Sequence, residues 1–178
     1  MANVTFNVSE GETIDRARMV ALLNVGTSDS PEWRPVGKRA AESSIEMDWS
    51  NETTQDIYGG VYTTKKKPVK TQPFDPWVLS GGDKAQELII QLTVVEENAQ
   101  RLSNMDMLIV HEYIKRGSTE GYFAVRYPNT SIDVTRIGGA GGGNLEIAVS
   151  VIYGGERVVG AVSKDESGMV VFTPDVSV

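Results

Sequence analysis

A mainly β fold, an antiparallel β-sandwich or barrel with one flanking α-helix and a long β-hairpin arm, is what this 178-residue sequence predicts. Three observations predict it. Short runs rich in β-branched and aromatic residues recur between clusters of turn residues. A single segment carries a helical repeat of apolar residues. The polar stretch 51–72 holds strand formers but few large apolar residues, so it can pair without having a core of its own to bury. One domain, 1–178, is expected, large enough to bury roughly 70% of the surface its unfolded chain exposes.

Each element has its own signal. Residues 1–16 are polar with isolated Val4, Phe6, Val8 and Ile14, the pattern of an N-terminal arm that orders when a partner supplies the burial it lacks. Strands are expected over 19–25, 36–49, 57–64, 107–114, 122–127, 131–136, 145–153, 158–163 and 169–172. Turn residues punctuate them at 26–31, Arg116-Gly117-Ser118, Tyr127-Pro128-Asn129 and Gly154-Gly155. Within 36–49, Ser44, Glu46 and Asp48 alternate with Ile45, Met47 and Trp49, which predicts one solvated and one buried face. Residues 50–72 read as an extended hairpin arm. Val61, Tyr62 and Thr63 favour extended backbone, and Gly59-Gly60 offers the positive φ of a tight turn.

Phe74-Asp75-Pro76-Trp77 reads as a rigid corner, because each proline fixes its own φ and restricts the residue before it. Phe74, Pro76 and Trp77 are its expected anchors. The helix is expected over 83–98. Asp83 is placed to cap it, with Gln86 reaching back as the second half of a capping box. Ala85, Leu88, Ile89, Leu92, Val95 and Ala99 make one apolar stripe, while Lys84, Glu87, Gln91 and Glu97 face away.

Composition narrows the chemistry. With no cysteine there is no disulfide, thiolate nucleophile or ordinary zinc site, and folding in a reducing cytoplasm is compatible with the sequence. Met1-Ala2-Asn3-Val4 lacks the basic and apolar regions of an export signal. No run approaches ~18 apolar residues, so no membrane span is expected. The sequons at Asn3, Asn7, Asn51 and Asn129 therefore read as chance matches. His111, the one histidine, lies in an apolar strand and reads as structural rather than as a general base. The carboxylate pairs Glu46/Asp48, Glu96/Glu97 and Asp165/Glu166 read as solvated acids. Gly138 to Asn144 lacks the lysine and hydroxyl residue of a phosphate loop and leads into a strand, so it reads as a connector. The aspartates lack the order of a calcium loop. No enzyme activity, metal or cofactor is expected. The net charge of −7 argues against a grip on nucleic acid, which depends on lysine and arginine displacing phosphate counterions.

Several separated pieces then occur in a shared order. They are the run from Asp48-Trp49-Ser50-Asn51-Glu52-Thr53-Thr54-Gln55-Asp56-Ile57, then Tyr62-Thr63-Thr64, then Lys67-Pro68-Val69-Lys70-Thr71-Gln72-Pro73-Phe74-Asp75-Pro76-Trp77. Together they resemble the major tail tube proteins of long-tailed, siphovirus-type phages of Firmicutes-like hosts. Gly82-Asp83-Lys84-Ala85-Gln86-Glu87 and Val171-Phe172-Thr173-Pro174 are similar to that family too, and the resemblance covers about 18–174. It implies a tail tube fold and a structural virion protein. Six subunits would form a ring, and rings would stack through extended loops and terminal arms into the tail tube, assembled in the host cytoplasm. Viral DNA would pass along the channel during ejection without specific binding. The implied partners are other copies of the chain, a tape measure protein, a tail terminator and distal tail proteins, with no membrane.

Read with that resemblance, Asp56, Tyr58, Tyr62, Lys65, Lys66, Lys67 and Lys70 are candidates for contacts between subunits or successive rings. The alternative for the lysines is a solvated edge that resists aggregation. Glu46, Asp48 and Glu146 are candidates for lining the lumen, and the alternative is the outer surface of the tube. Six copies at −7 carry about −42 in all, enough to repel phosphates at short range. Two other readings stay open. A contractile particle, phage-derived bacteriocin or secretion-like ring could use the same tube. A monomeric carbohydrate-binding sandwich would need an aromatic platform from Trp33, Trp49 and Trp77.

Overall fold

The structure, a computed structural model, describes residues 4–116 and 121–175. Its strands are β1 (Met19–Asn24), β2 (Trp33–Pro35), β3 (Glu46–Asp48), β4 (Glu52–Gln55), β5 (Val61–Thr64), β6 (Val69–Val78), β7 (Met105–His111), β8 (Tyr122–Gly138), β9 (Glu146–Tyr153), β10 (Val158–Lys164) and β11 (Val170–Pro174). Helix α1 (Lys84–Ile90), a π-helical turn (Gln91–Val95) and the short α2 (Ala99–Leu102) lie between β6 and β7. Every strand pair among the described residues is antiparallel, and the fold is mainly β, with its α-helical residues confined to the segment between β6 and β7.

Strand β8 organises the whole. Its first part pairs with β7 on one side and β10 on the other, and its last part pairs with β9. One half of the sheet is therefore β2-β1-β7-β8-β10-β11 and the other is β8-β9-β6-β3. The two halves fold towards each other around the main core. Leu23, Met107, Ile109 and Val125 come from the first half, Phe74, Trp77, Ile132, Val149 and Val151 from the second, and Ala85, Ile89 and Leu92 from the helical segment. Strands alternate sides every residue, so each inward set is spaced by two. A fully buried aliphatic or aromatic side chain contributes about 1.5–3 kcal/mol, which makes this seam the main source of stability.

Within the main sheet, three stretches of chain differ from what the sequence predicts. Strands at 122–127 and 131–136 are one continuous strand, because Tyr127-Pro128-Asn129 bends rather than turns. The β7–β8 register shifts between Met105 and Met107, and Pro128, with no N–H to give, sits in that irregularity. The expected strand 36–49 shrinks to Glu46–Asp48. Gly37 at φ 80° and Arg39 at φ 67° redirect the chain first. A Cβ on Gly37 would stand 2.4 Å from the Phe74 ring, so this close approach requires glycine. The expected corner at Phe74–Trp77 lies inside β6, where the β9 register shifts between those two residues and the Asp75–Pro76 peptide is cis. Both rings turn inward, 6.1 Å apart and tilted by 43°.

The helix begins as expected. Asp83 Oδ1 accepts from the N–H groups of Ala85 at 3.1 Å and Gln86 at 3.2 Å. Gln86 does not complete a capping box. Its buried amide reaches further back, accepting from Ser80 N–H at 2.7 Å and donating to the Val78 carbonyl at 2.8 Å. After Ile90 the turn widens, with Glu96 N–H bonded to the Gln91 carbonyl at 2.9 Å. That extra residue per turn rotates Val95 and Ala99 to the surface, so the apolar stripe ends at Leu92.

Candidate assembly surface

The arm is built from β4 and β5, which pair only with each other among the described residues. Glu52 stands opposite Thr64 and Gln55 opposite Val61, and all eight strand residues are exposed. Its root is a sharp turn. Asp48 Oδ1 accepts from Ser50 N–H at 2.9 Å, Ser50 adopts φ 43°, and Lys66 N–H donates to the Trp49 carbonyl at 3.1 Å. Lys66 also forms an ion pair with Glu52 across the hairpin.

The tip is held by Asp56 rather than by a two-residue Gly59-Gly60 turn. Asp56 Oδ1 accepts from Tyr58 N–H at 2.9 Å and Gly60 N–H at 2.8 Å, closing a five-residue loop. The Gly60 N–H, above all, holds this carboxyl below the ordinary carboxylate range. The loop thrusts Ile57 and Tyr58 outward, 92% and 91% exposed, with Val61 and Tyr62 beside them at 65% and 59%. An apolar tip on a polar stalk is the reverse of what a solvated loop favours.

The arm is shorter than 50–72. Val69 to Gln72 belong to the body, paired with β3 and β9. Lys65, Lys66 and Lys67 lie exposed on the returning connection, while Lys70 turns inward. Its Nζ donates to Tyr127 OH at 2.7 Å and stands 5.3 Å from that ring's centroid.

A second surface is the outer face of the half-sheet β8-β9-β6-β3. Glu46 pairs with Thr71, Thr71 with Ile152, and Ile152 with Ser131, while Asp48 pairs with Val69. Paired residues share a face and alternate residues return to it, so Glu46, Asp48 and Glu146 all lie on the side turned away from the core. Asp133 and the Asp75–Arg136 ion pair, at 2.6 Å, lie there too. The side chains between the acids are mostly small or polar. Met47 and Trp49 do not fill a buried face as expected; they are 49% and 45% exposed. Among the described residues strand β3 has a neighbour on one side only, and the core beneath it opens into a cleft.

That cleft, of about 690 Å³, is lined by residues that include Met47, Trp49, Lys67, Lys70, Tyr127, Tyr153, Glu156 and Arg157. Tyr127 and Tyr153 stack at 5.0 Å, tilted by 48°. Burial pushes the Tyr153 hydroxyl upward, and it donates to Gln72 Oε1. Gln72 Nε2 in turn donates to Ser43 Oγ at 2.8 Å. Sequence reading missed Tyr127, Tyr153 and Arg157 here, because only the pairing of distant strands brings them together. Nearby, His111 Nδ1 lies 2.9 Å from Tyr113 OH. Burial, then the charges of Lys70 and Arg157, hold its imidazole down to about 4. Among the described residues no three histidine, aspartate or glutamate side chains converge as a metal site would require.

No protein-family model and no curated protein matches the chain. Solved structures with some likeness include a chain of the sheath–tube complex of an extracellular contractile injection system, PVC, in the extended state. Its TM-score is 0.48 at 10% identity, covering 86% of this chain and 95% of that one. The PVC sheath/tube terminator gives 0.49 at 9% identity, covering 86% and 100%. The tube-terminating cap of the anti-feeding prophage gives 0.49 at 9%, covering 87% and 95%. Neither the identities nor the superpositions are high enough to carry a residue's role across.

Proposed function

We propose that this chain is a structural, non-enzymatic subunit that polymerises as stacked hexameric rings into a phage-type tail tube, through whose acidic channel viral DNA passes. The observation that carries the reading is the β4–β5 arm. It pairs with no other strand of the described residues and ends in Ile57 and Tyr58, both more than 90% exposed. Burying such a tip requires a partner surface, and copies of the same chain are the partners a closed or helical assembly supplies. The outer face with Glu46, Asp48 and Glu146 supports the lumen assignment, since a smooth acidic wall repels phosphates and gives nothing for bases to stack on. Strands β3 and β11 each pair on one side only among the described residues, leaving edges for a neighbour to extend.

Electron microscopy of the purified protein over a concentration series tests the reading. Uniform hollow filaments are the expected result, and a lasting monomer at every concentration overturns it. Removing residues 2–14 should leave folded monomers that polymerise less well. Tubes carrying Glu46→Lys, Asp48→Lys and Glu146→Lys together should retain added DNA through a salt wash that strips it from wild-type tubes.

A further inference from the structure

We propose that the arm tip of one copy seats in the cleft between β3 and β10 of another copy, Ile57 and Tyr58 packing against Met47, Trp49 and Tyr153. The inference rests on the self-assembly reading and names the acceptor surface within it. Three observations converge. The tip carries two large side chains more than 90% exposed, and the cleft is lined by two half-exposed large apolar ones, Met47 and Trp49. Such surfaces gain by covering each other, and aromatic anchors set in pockets dominate interfaces.

Charge is complementary as well. Glu52 is paired with Lys66 at the root, which leaves Asp56 as the carboxylate at the tip, a charge of −1 with no lysine or arginine among residues 51–64. The cleft is bordered by Lys67, Lys70 and Arg157 against one acid, Glu156, a charge of +2. Lys70 is already held inside by Tyr127, so Arg157 and Lys67 are the cations left to meet the incoming Asp56.

Geometry makes the occupant another copy. Trp49 and Lys67 line the cleft and also flank the root of their own arm. Two paired strands of four residues, at about 3.3 Å per residue, hold the tip about 13 Å or more from that root. The arm cannot reach its own cleft without breaking the β4–β5 ladder. The contact is therefore heterologous: each copy gives a tip and offers a cleft, and repetition builds a ring or a succession of rings.

The absence of cysteine makes a clean test. Full-length Val61→Cys and Glu156→Cys variants, both at exposed positions and both sparing the proposed anchors, are mixed under assembling conditions and treated with a short bismaleimide. The expected product is a covalent dimer from the mixture, and a ladder of multimers from the double variant, with neither formed at monomeric dilution. Normal tubes without the cross-link overturn the acceptor assignment and leave the tube reading standing. An intramolecular cross-link within diluted double-variant monomers also overturns it. Wild-type protein that never forms tubes removes the tube reading itself. As a second measure, Trp49→Ala should raise the concentration needed for assembly at least about tenfold while the monomer's melting temperature stays within a few degrees; an unchanged assembly threshold overturns the proposal.

Discussion

His111 gives the sharpest quantitative test of the packing, because the chain has no other histidine to confuse the signal. The ring sits between Tyr113 and Phe123, and its protonation is resisted first by burial and then by Lys70 and Arg157. The folded value of about 4 lies below the ordinary 6.5, so the unfolded chain binds the proton more readily. Stability from the neutral ring is complete above about 6.5 and falls away as pH drops towards 4. Working the linkage between pH 7.5 and pH 5 gives a loss of about 2 kcal/mol as an upper bound, nearer 1 kcal/mol once solvent screening at a partly accessible ring is allowed for. With a urea m-value of about 2 kcal/mol/M, the midpoint should fall by about 0.5–1 M across that interval. The assay is urea unfolding by circular dichroism at pH 7.5, 6 and 5 on monomeric protein, with the imidazole resonances followed in parallel by NMR. His111→Gln should flatten the dependence between pH 6.5 and 5. A native imidazole that titrates near 6.5, or a pH slope unchanged in His111→Gln, would refute the account of burial and neighbouring charge.

Other outcomes follow from the same structure. Replacing 52–64 with a short glycine-serine linker should change monomer stability by less than about 1 kcal/mol in chemical denaturation, since among the described residues β4 and β5 pair with no other strand, yet abolish filaments in electron micrographs. Trp77→Ala, at a side chain with no accessible surface, should cost about 3–5 kcal/mol and appear as a fall in thermal midpoint. Asp83→Ala should cost about 1 kcal/mol by removing the two N-cap bonds, with glycine at the same position costing less than alanine. Asp106→Ala should cost about 1–2 kcal/mol, because Asp106 accepts both bonds of the Arg126 fork, at 2.9 and 2.8 Å, and one from Asn24 Nδ2 at 3.2 Å.

What the sequence revealed depends on how local each signal was. Strands with an inward set at spacing two, such as those around Leu23, Ile109 and Val149, could be read directly, as could the Asp83 cap. The hairpin could be read from Val61-Tyr62-Thr63 and the glycines, but its loop is set by the Asp56 carboxylate, a bond that no periodicity announces. Spacing puts Gln86 on the first helical turn but does not reveal its partners, because the groups it satisfies, Ser80 N–H and the Val78 carbonyl, belong to the chain leaving β6. The alternation at Ser44–Trp49 looked like a half-buried strand. Nothing local could show that β3 would lie at an edge with an open cleft beneath it. Tyr127, Tyr153 and Arg157 meet there only through strand pairing, and that is why the cleft was invisible in one dimension.

Strand β8 carries a consequence for mechanics. One continuous strand of seventeen residues, bent at Pro128, runs through both halves of the molecule in place of a flexible linker. Each copy is thus a stiff block. In the filament proposed above, flexing would be taken up at the joints between blocks, so its curvature under load would report the compliance of those joints rather than of the blocks themselves.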